Sequence, residues 1–310
     1  MTLVLGTYAL AWGRSAAEHA QVVDAAVEES LVDGLEVPCT GSPAMLDVLE
    51  VLRTSRLDWQ IVVTCLPRTL AQLAERPRFG LASPDADGRH AALTDAASLR
   101  SAVASLNDAV GRSAVSAIEV HSAPALQDAA SARTALARSL DTITGWDWDG
   151  AQILLEHVDA KVPDHVPSKG FLSLEDEIGV LSGGSLPVGV LINWGRSAIE
   201  LRSAAHVVDH VAMARESGVL RGLVFSGASP AATEYGEPWA DQHLPPSAYE
   251  KDSLLTDEMM DAALRVAGPV DYTGVKMSWH RPSLREGTVM LLSTARMVSA
   301  LSVRNRQSIP

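Results

Sequence analysis

Along this chain, short runs of apolar and β-branched residues alternate with longer stretches in which apolar residues recur every three or four positions. The first pattern marks strands and the second marks amphipathic helices. It predicts strands over residues 2–8, 34–38, 59–66, 115–121, 151–157, 187–193, 220–226 and 270–276. A capping box, Ser15-Ala16-Ala17-Glu18, opens a helix that runs to about residue 33, where Gly34 stops it. Further helices are predicted over 43–54, 93–111, 125–144, 173–181, 256–267 and 284–301. A second capping box, Ser197-Ala198-Ile199-Glu200, predicts one helix from there to residue 217. Residues 68–90 hold Pro77, Gly80, Pro84 and Gly88 and read as a loop with a short helix.

Eight strands alternating with eight helical stretches predict an α/β fold, a single (β/α)8 TIM barrel over residues 1–301, with 302–310 as a frayed tail. After strand seven comes the longest irregular insertion, 227–254, with Pro230, Pro238, Pro245 and Pro246 among Tyr235, Trp239, His243 and Tyr249. A loop of that length in a compact domain is functional or disordered, and its aromatic content predicts an ordered, lid-like loop. The alternative, an open doubly wound sheet, usually carries a Gly-rich turn after its first strand. Here that turn is Ala11-Trp12-Gly13-Arg14, without the fingerprint.

Composition narrows the partners. The chain of 310 residues is 47% hydrophobic and carries a net charge of −13. That balance argues against nucleic acid and against an anionic membrane surface, both of which want basic patches. No apolar run approaches a membrane span, and the N-terminal apolar stretch lacks a basic n-region, so it reads as a first strand. The two cysteines, Cys39 and Cys65, form neither a zinc motif nor a disulfide framework. Free thiols and a cytoplasmic protein are the expectation.

In a barrel the active site is built at the C-terminal ends of the strands. Polar residues stand at nearly all of them. Strand one leads to Tyr8, Trp12 and Arg14, and strand two ends in Glu36. Strand three gives Thr64 and Cys65, and strand four gives Glu119 and His121. Strand five ends in Glu156, His157 and Asp159, and strand six in Asn193, Trp194 and Arg196. Ser226 follows strand seven, and Lys276, Trp279 and His280 follow strand eight. Glu156 leads the candidates for chemistry, because an ionised carboxylate closing the apolar run Ile153-Leu154-Leu155 is costly unless paired, metal-bound or wet. The mix suits a polyol: Glu36, His157 and Asn193 meet hydroxyls, and Trp12 and Trp194 cover C–H faces. Arg196 sits just before a helix start, where a cation is unfavourable, which points to an anionic contact. Each residue also has a plain structural role open to it. Glu36 and Glu119 could anchor loops, His121 could be a satisfied strand-end histidine, and Glu156 could sit in a salt bridge.

Three motifs resemble the xylose-isomerase-like barrels, a superfamily of sugar isomerases, ketose epimerases and repair endonucleases. They are Val32-Asp33-Gly34-Leu35-Glu36-Val37, Val120-His121 followed by Ser-Ala-Pro, and Leu154-Leu155-Glu156-His157. The resemblance covers nearly the whole alternation, through short motifs, and is closest to an uncharacterised bacterial branch. It implies a divalent metal (Mn, Mg, Co or Zn) held by Glu156, a small-molecule sugar or sugar acid as substrate, and a homodimer. The family's further ligands, commonly Asp, His and Glu, come from strands six to eight. The matching positions here look like Asn193, Ser226 and Lys276, and a lysine ammonium suits a cation site badly. The expectation is therefore a metal-independent acid/base site. In it Glu156 is the general base, Lys276 takes the ion's place by pairing with Glu156, and Lys276 or His121 is the acid or oxyanion stabiliser. The competing readings are a sugar lyase or hydrolase in the same fold, a barrel that binds a sugar without turning it over, and a metal held by a different set, Glu156, His157 and Asp159, which requires strand five to end at Glu156.

Overall fold

The computed structural model describes residues 2–39, 52, 58–125, 128–184 and 186–307. Eight parallel strands follow one another in chain order and close into a barrel. They are β1 (Thr2–Leu5), β2 (Gly34–Pro38), β3 (Gln60–Thr64), β4 (Val115–Val120), β5 (Gln152–His157), β6 (Val188–Asn193), β7 (Leu220–Phe225) and β8 (Tyr272–Val275). The helices are α1 (Thr7–Leu10), α2 (Ala16–Val27), α3 (Leu66–Glu75), α4 (Ala86–Val110), α5 (Ala129–Thr144), α6 (Leu174–Gly184), α7 (Trp194–Leu201), α8 (Val207–Glu216), α9 (Asp257–Ala267) and α10 (Leu284–Gln307). The helix expected over 43–54 lies outside the described residues, apart from Leu52, which is helical. Among the described residues no helix is long and apolar enough to cross a membrane.

The chain groups into two compact units. One comprises residues 1–36, 192–216 and 220–310. Here β1 pairs with β2 and with β8, and β8 pairs with β7. Helix α9 packs against both α8 and α10, and Val207, Val211, Met260, Leu264, Leu291 and Ala295 on these helices are buried. The other unit comprises residues 37–191 and 217–219. Here β4 pairs with both β3 and β5, and α5 packs on α4 and α6.

Several boundaries differ from the hydrophobic pattern for local reasons. β1 ends at Leu5 because Gly6 donates its N–H to Val275 O at 2.9 Å and the chain then turns into α1, so Tyr8 is helical. α2 opens on the predicted Ser15–Glu18 capping box but stops at Val27. Asp33 instead accepts the Leu3 N–H at 2.7 Å. Pro67 lies in the first turn of α3, where its missing N–H costs nothing. α4 starts at Ala86, capped by Asp85, which accepts from Gly88 N.

The single helix expected over 197–217 is two helices. The Asn193 carboxamide caps α7 by accepting from Gly195 N and Arg196 N, so Ser197 and Glu200 lie buried inside it. Arg202, at a left-handed φ of 48°, ends it. The expected frayed tail is helical as far as Gln307. Arg304 and Asn305 bond Asp261, which pins the last turn of α10 onto α9. The 227–254 insertion forms neither helix nor strand but is built by its own contacts, with bridges between Gly227 and Leu244 and between Thr233 and Gly236.

Candidate active site

In the unit containing β3–β5, the register aligns Glu119 with Leu154 and Val120 with Leu155. One further step sets His121 beside Glu156, and the two meet, Nε2 to Oε2, at 2.8 Å. Both side chains are fully buried. A carboxylate only accepts, so Nε2–H is the donor and the imidazole orients the carboxylate. β5 continues through His157, so His157 points to the opposite face from Glu156. There its Nδ1–H donates to Glu177 Oε2 at 2.8 Å.

Glu177 also accepts the Ser122 hydroxyl, at 2.5 Å on Oε1. This buried carboxylate in the first turn of α6 therefore ties down the residue that follows His121 and the residue that follows Glu156. Asp159 takes a loop-building role, accepting the Lys169 N–H at 2.8 Å. With β5 unbroken at Glu156, the side chains of Glu156, His157 and Asp159 serve three different partners.

In the other unit, Lys276 and Glu36 form a buried ion pair, Nζ to Oε1, at 2.5 Å. The Tyr8 hydroxyl donates to the same oxygen at 3.0 Å. Tyr8 stands among the polar residues that follow strand one in the sequence, and the structure gives it this partner. Gly6 makes room for the lysine stem: a Cβ added there would lie 2.9 Å from Lys276 Cγ. Asn193 Oδ1 accepts the Ser226 hydroxyl at 2.8 Å as well as the two helix N–H groups. Its Nδ2 has no hydrogen-bond partner among the described residues, and neither does Trp194 Nε1, though both are buried. Arg196 meets the carboxylate its position called for, but from within the chain: Nε donates to Asp241 Oδ2 at 3.0 Å. Arg14 is spent on the carbonyls of Trp279 and Arg281. Trp12 is 70% exposed on the turn after α1.

A family model described as Domain of unknown function (DUF4862) matches residues 4–286. The chain belongs to this family. An uncharacterized Salmonella typhimurium protein, STM3670, is 36% identical over 251 residues, which cover 79% of this chain and 78% of that one. Solved structures with the same fold as this DUF4862 chain include a D-tagatose 3-epimerase-like protein, at a TM-score of 0.63 and 13% identity, covering 98% and 99% of the two chains. They also include the IOLI protein with a binding zinc atom, at 0.65 and 11%, with the same coverage. These neighbours share the (β/α)8 barrel fold that the resemblance of the motifs implies.

The donors at the ends of β6, β7 and β8 of this DUF4862 chain do not fit the divalent metal that such a barrel implies. At the ends of β6, β7 and β8 stand a neutral carboxamide whose oxygen is already bonded three times, a serine hydroxyl and a buried ammonium. A hard cation wants several anionic oxygens or imidazoles. The chemistry is therefore derived from the side chains alone.

Proposed function

We propose that this chain is a sugar isomerase/epimerase-like enzyme of carbohydrate metabolism, acting on a small sugar or sugar acid by proton transfer next to a carbonyl without a metal. The buried 2.8 Å pair of His121 and Glu156 at the C-terminal ends of neighbouring strands carries this reading. Glu156 is the general base, and the imidazole of His121 fixes the carboxylate in one orientation. His121 is also placed to return a proton. Lys276 carries the positive charge that a developing oxyanion needs, and Glu36 with Tyr8 holds that charge in position. Glu36, His157, Asn193, Trp194, Arg196 and Trp12 are the proposed substrate-contact set. His157 and Arg196 enter it through the side chains they hold, Glu177 and Asp241. The fold similarity to a D-tagatose 3-epimerase-like protein supports the substrate class.

The test is solvent-deuterium incorporation. Ketoses, aldoses and sugar acids are incubated with the protein in heavy water, with and without chelator, and followed by NMR. Deuterium is expected at the carbon next to the carbonyl, unaffected by chelator and lost in Glu156→Gln. Exchange that persists in that variant removes Glu156 as the base. The ion-paired lysine at the end of β8 favours a second reading, a barrel that binds a sugar without turnover. Binding by calorimetry with no exchange on any sugar would establish it.

A further inference from the structure

The two cysteines of this chain are 26 positions apart in sequence, yet they stand side by side. Cys39 follows the last residue of β2 and Cys65 the last residue of β3. The Cys39 N–H donates to Thr64 O at 2.8 Å. In a parallel ladder a residue bonds to the two neighbours of the residue opposite it, so this bond sets Cys39 directly across from Cys65. Neighbouring strands run about 4.8 Å apart, inside the roughly 4.4–6.8 Å Cα separation that a disulfide spans. Both thiols are reduced, both are half-buried, and both line one cavity of about 240 Å³. Phe79, Leu99 and Trp148 supply its apolar wall, and Arg68 and Asp95 its polar edge.

We propose that Cys39 and Cys65 form a dithiol site that closes reversibly to a disulfide by exchange with low-molecular-weight disulfides entering this cavity. Contact with the Cys39 sulfur, then burial, raises the Cys65 thiol well above its ordinary value. A thiol held protonated is the slower to attack, so the first attack falls to Cys39. The Cys39 thiolate displaces one small thiol from the incoming disulfide and forms a mixed disulfide. Cys65 then loses its proton and displaces the second small thiol. Two protein thiols and one small disulfide become one protein disulfide and two small thiols, so hydrogens and electrons balance. The product covalently links the segments leaving two adjacent strands and closes off one side of the cavity.

The experiment incubates the whole protein with glutathione disulfide, quenches with N-ethylmaleimide, and reads intact mass and peptide map. The wild type is expected to lose two hydrogens, to resist alkylation, and to yield a cross-linked peptide joining Cys39 to Cys65; dithiothreitol should restore two alkylatable thiols. Cys65→Ser should accumulate a glutathione adduct on Cys39, faster than Cys39→Ser acquires one on Cys65. Wild-type protein that keeps two free thiols, or that carries glutathione without a cross-link, overturns the site. The reverse order of adduct formation overturns the assignment of Cys39 as attacker. Neither readout depends on any activity toward sugars.

Discussion

His121 donates from Nε2 to Glu156 Oε2 across 2.8 Å, and solvent reaches neither side chain. Removing either member leaves the other buried without that partner, which costs about 3–5 kcal/mol where a true charge is stranded. Glu156→Gln keeps an acceptor for His121 and should lower stability by no more than about 1.5 kcal/mol, while abolishing deuterium exchange. His121→Ala should destabilise by about 3 kcal/mol. Urea unfolding beside the exchange assay separates the two effects. A Glu156→Gln protein that unfolds as readily as His121→Ala would show that the pair serves the fold and not the chemistry.

The Lys276–Glu36 pair has a distinct signature. Lys276→Met alone strands the Glu36 carboxylate and should cost about 3–5 kcal/mol. Adding Glu36→Gln should recover more than half of that loss, leaving a coupling energy well above the few tenths of a kcal/mol seen between independent sites. Four urea titrations complete the cycle. Additive losses would mean that the two charges do not depend on each other.

Glu177 positions the residues next to both members of the His121–Glu156 pair. Ser122→Ala removes one neutral hydroxyl from it and should cost about 1 kcal/mol. Glu177→Ala releases both Ser122 and His157 and should lower kcat on an identified substrate by at least about tenfold, with little change in KM. Glu177→Gln accepts one bond through its remaining oxygen and can keep the second by donating its amide N–H to the Ser122 hydroxyl oxygen or to the other tautomer of His157, so it should rescue most of the loss. Equal defects in the Ala and Gln variants would assign Glu177 a charge role in place of a positioning role.

At Gly6 a methyl group would press on the Cβ and Cγ of Lys276, the rigid start of that side chain. Gly6→Ala should displace the ammonium from Glu36 and destabilise the protein by about 1–3 kcal/mol. In a Lys276→Ala background the Cγ and Cδ contacts are gone, so the penalty should shrink by at least half. A penalty unchanged in that background would locate the strain in the backbone.

Acid should act first on helix starts. The Ser15 backbone and hydroxyl bonds hold Glu18 below its ordinary value of 4.5, the Gly88 N–H holds Asp85 below 3.8, and the Ser131 hydroxyl and N–H hold Asp128 below 3.8. A carboxylate whose value falls on folding contributes stability in full above its ordinary value and loses it as pH drops through the lowered one. The melting temperature should therefore fall below about pH 4.5, and Asp85→Asn with Asp128→Asn should flatten that fall. An unchanged pH slope in the double variant would place the acid sensitivity elsewhere.

Much of this architecture is legible in the chain because periodicity and barrel topology reinforce each other. β5, β6 and α9 lie within a residue or so of where the hydrophobic pattern puts them, because a fully apolar run or a clear cap leaves little freedom. Tertiary pairing overrode the pattern elsewhere. Ser197–Glu200 looks like a helix start, but Asn193 had capped the helix four residues earlier. Of the candidate residues, Glu156, His121, Glu36 and Lys276 were visible as strand-end polar groups. Which of them meet could not be read, because partnership depends on strand register, and a one-residue shift changes every face. Glu177 was hidden for a different reason. In the run Glu175-Asp176-Glu177 it looks like one more solvated carboxylate, and only the turn of α6 against β5 sends it inward.

Asn193 has its oxygen committed on three sides, to two amide hydrogens and to the Ser226 hydroxyl. What it still offers is hydrogen alone. A side chain that could ordinarily greet any hydroxyl from either direction has been made one-handed. A molecule approaching that amide must therefore bring a lone pair to it. Hydroxyl, carbonyl and carboxylate oxygens qualify, and an ammonium does not. Helix capping, a matter of local folding, thus also sets a rule of chemical admission at the end of β6.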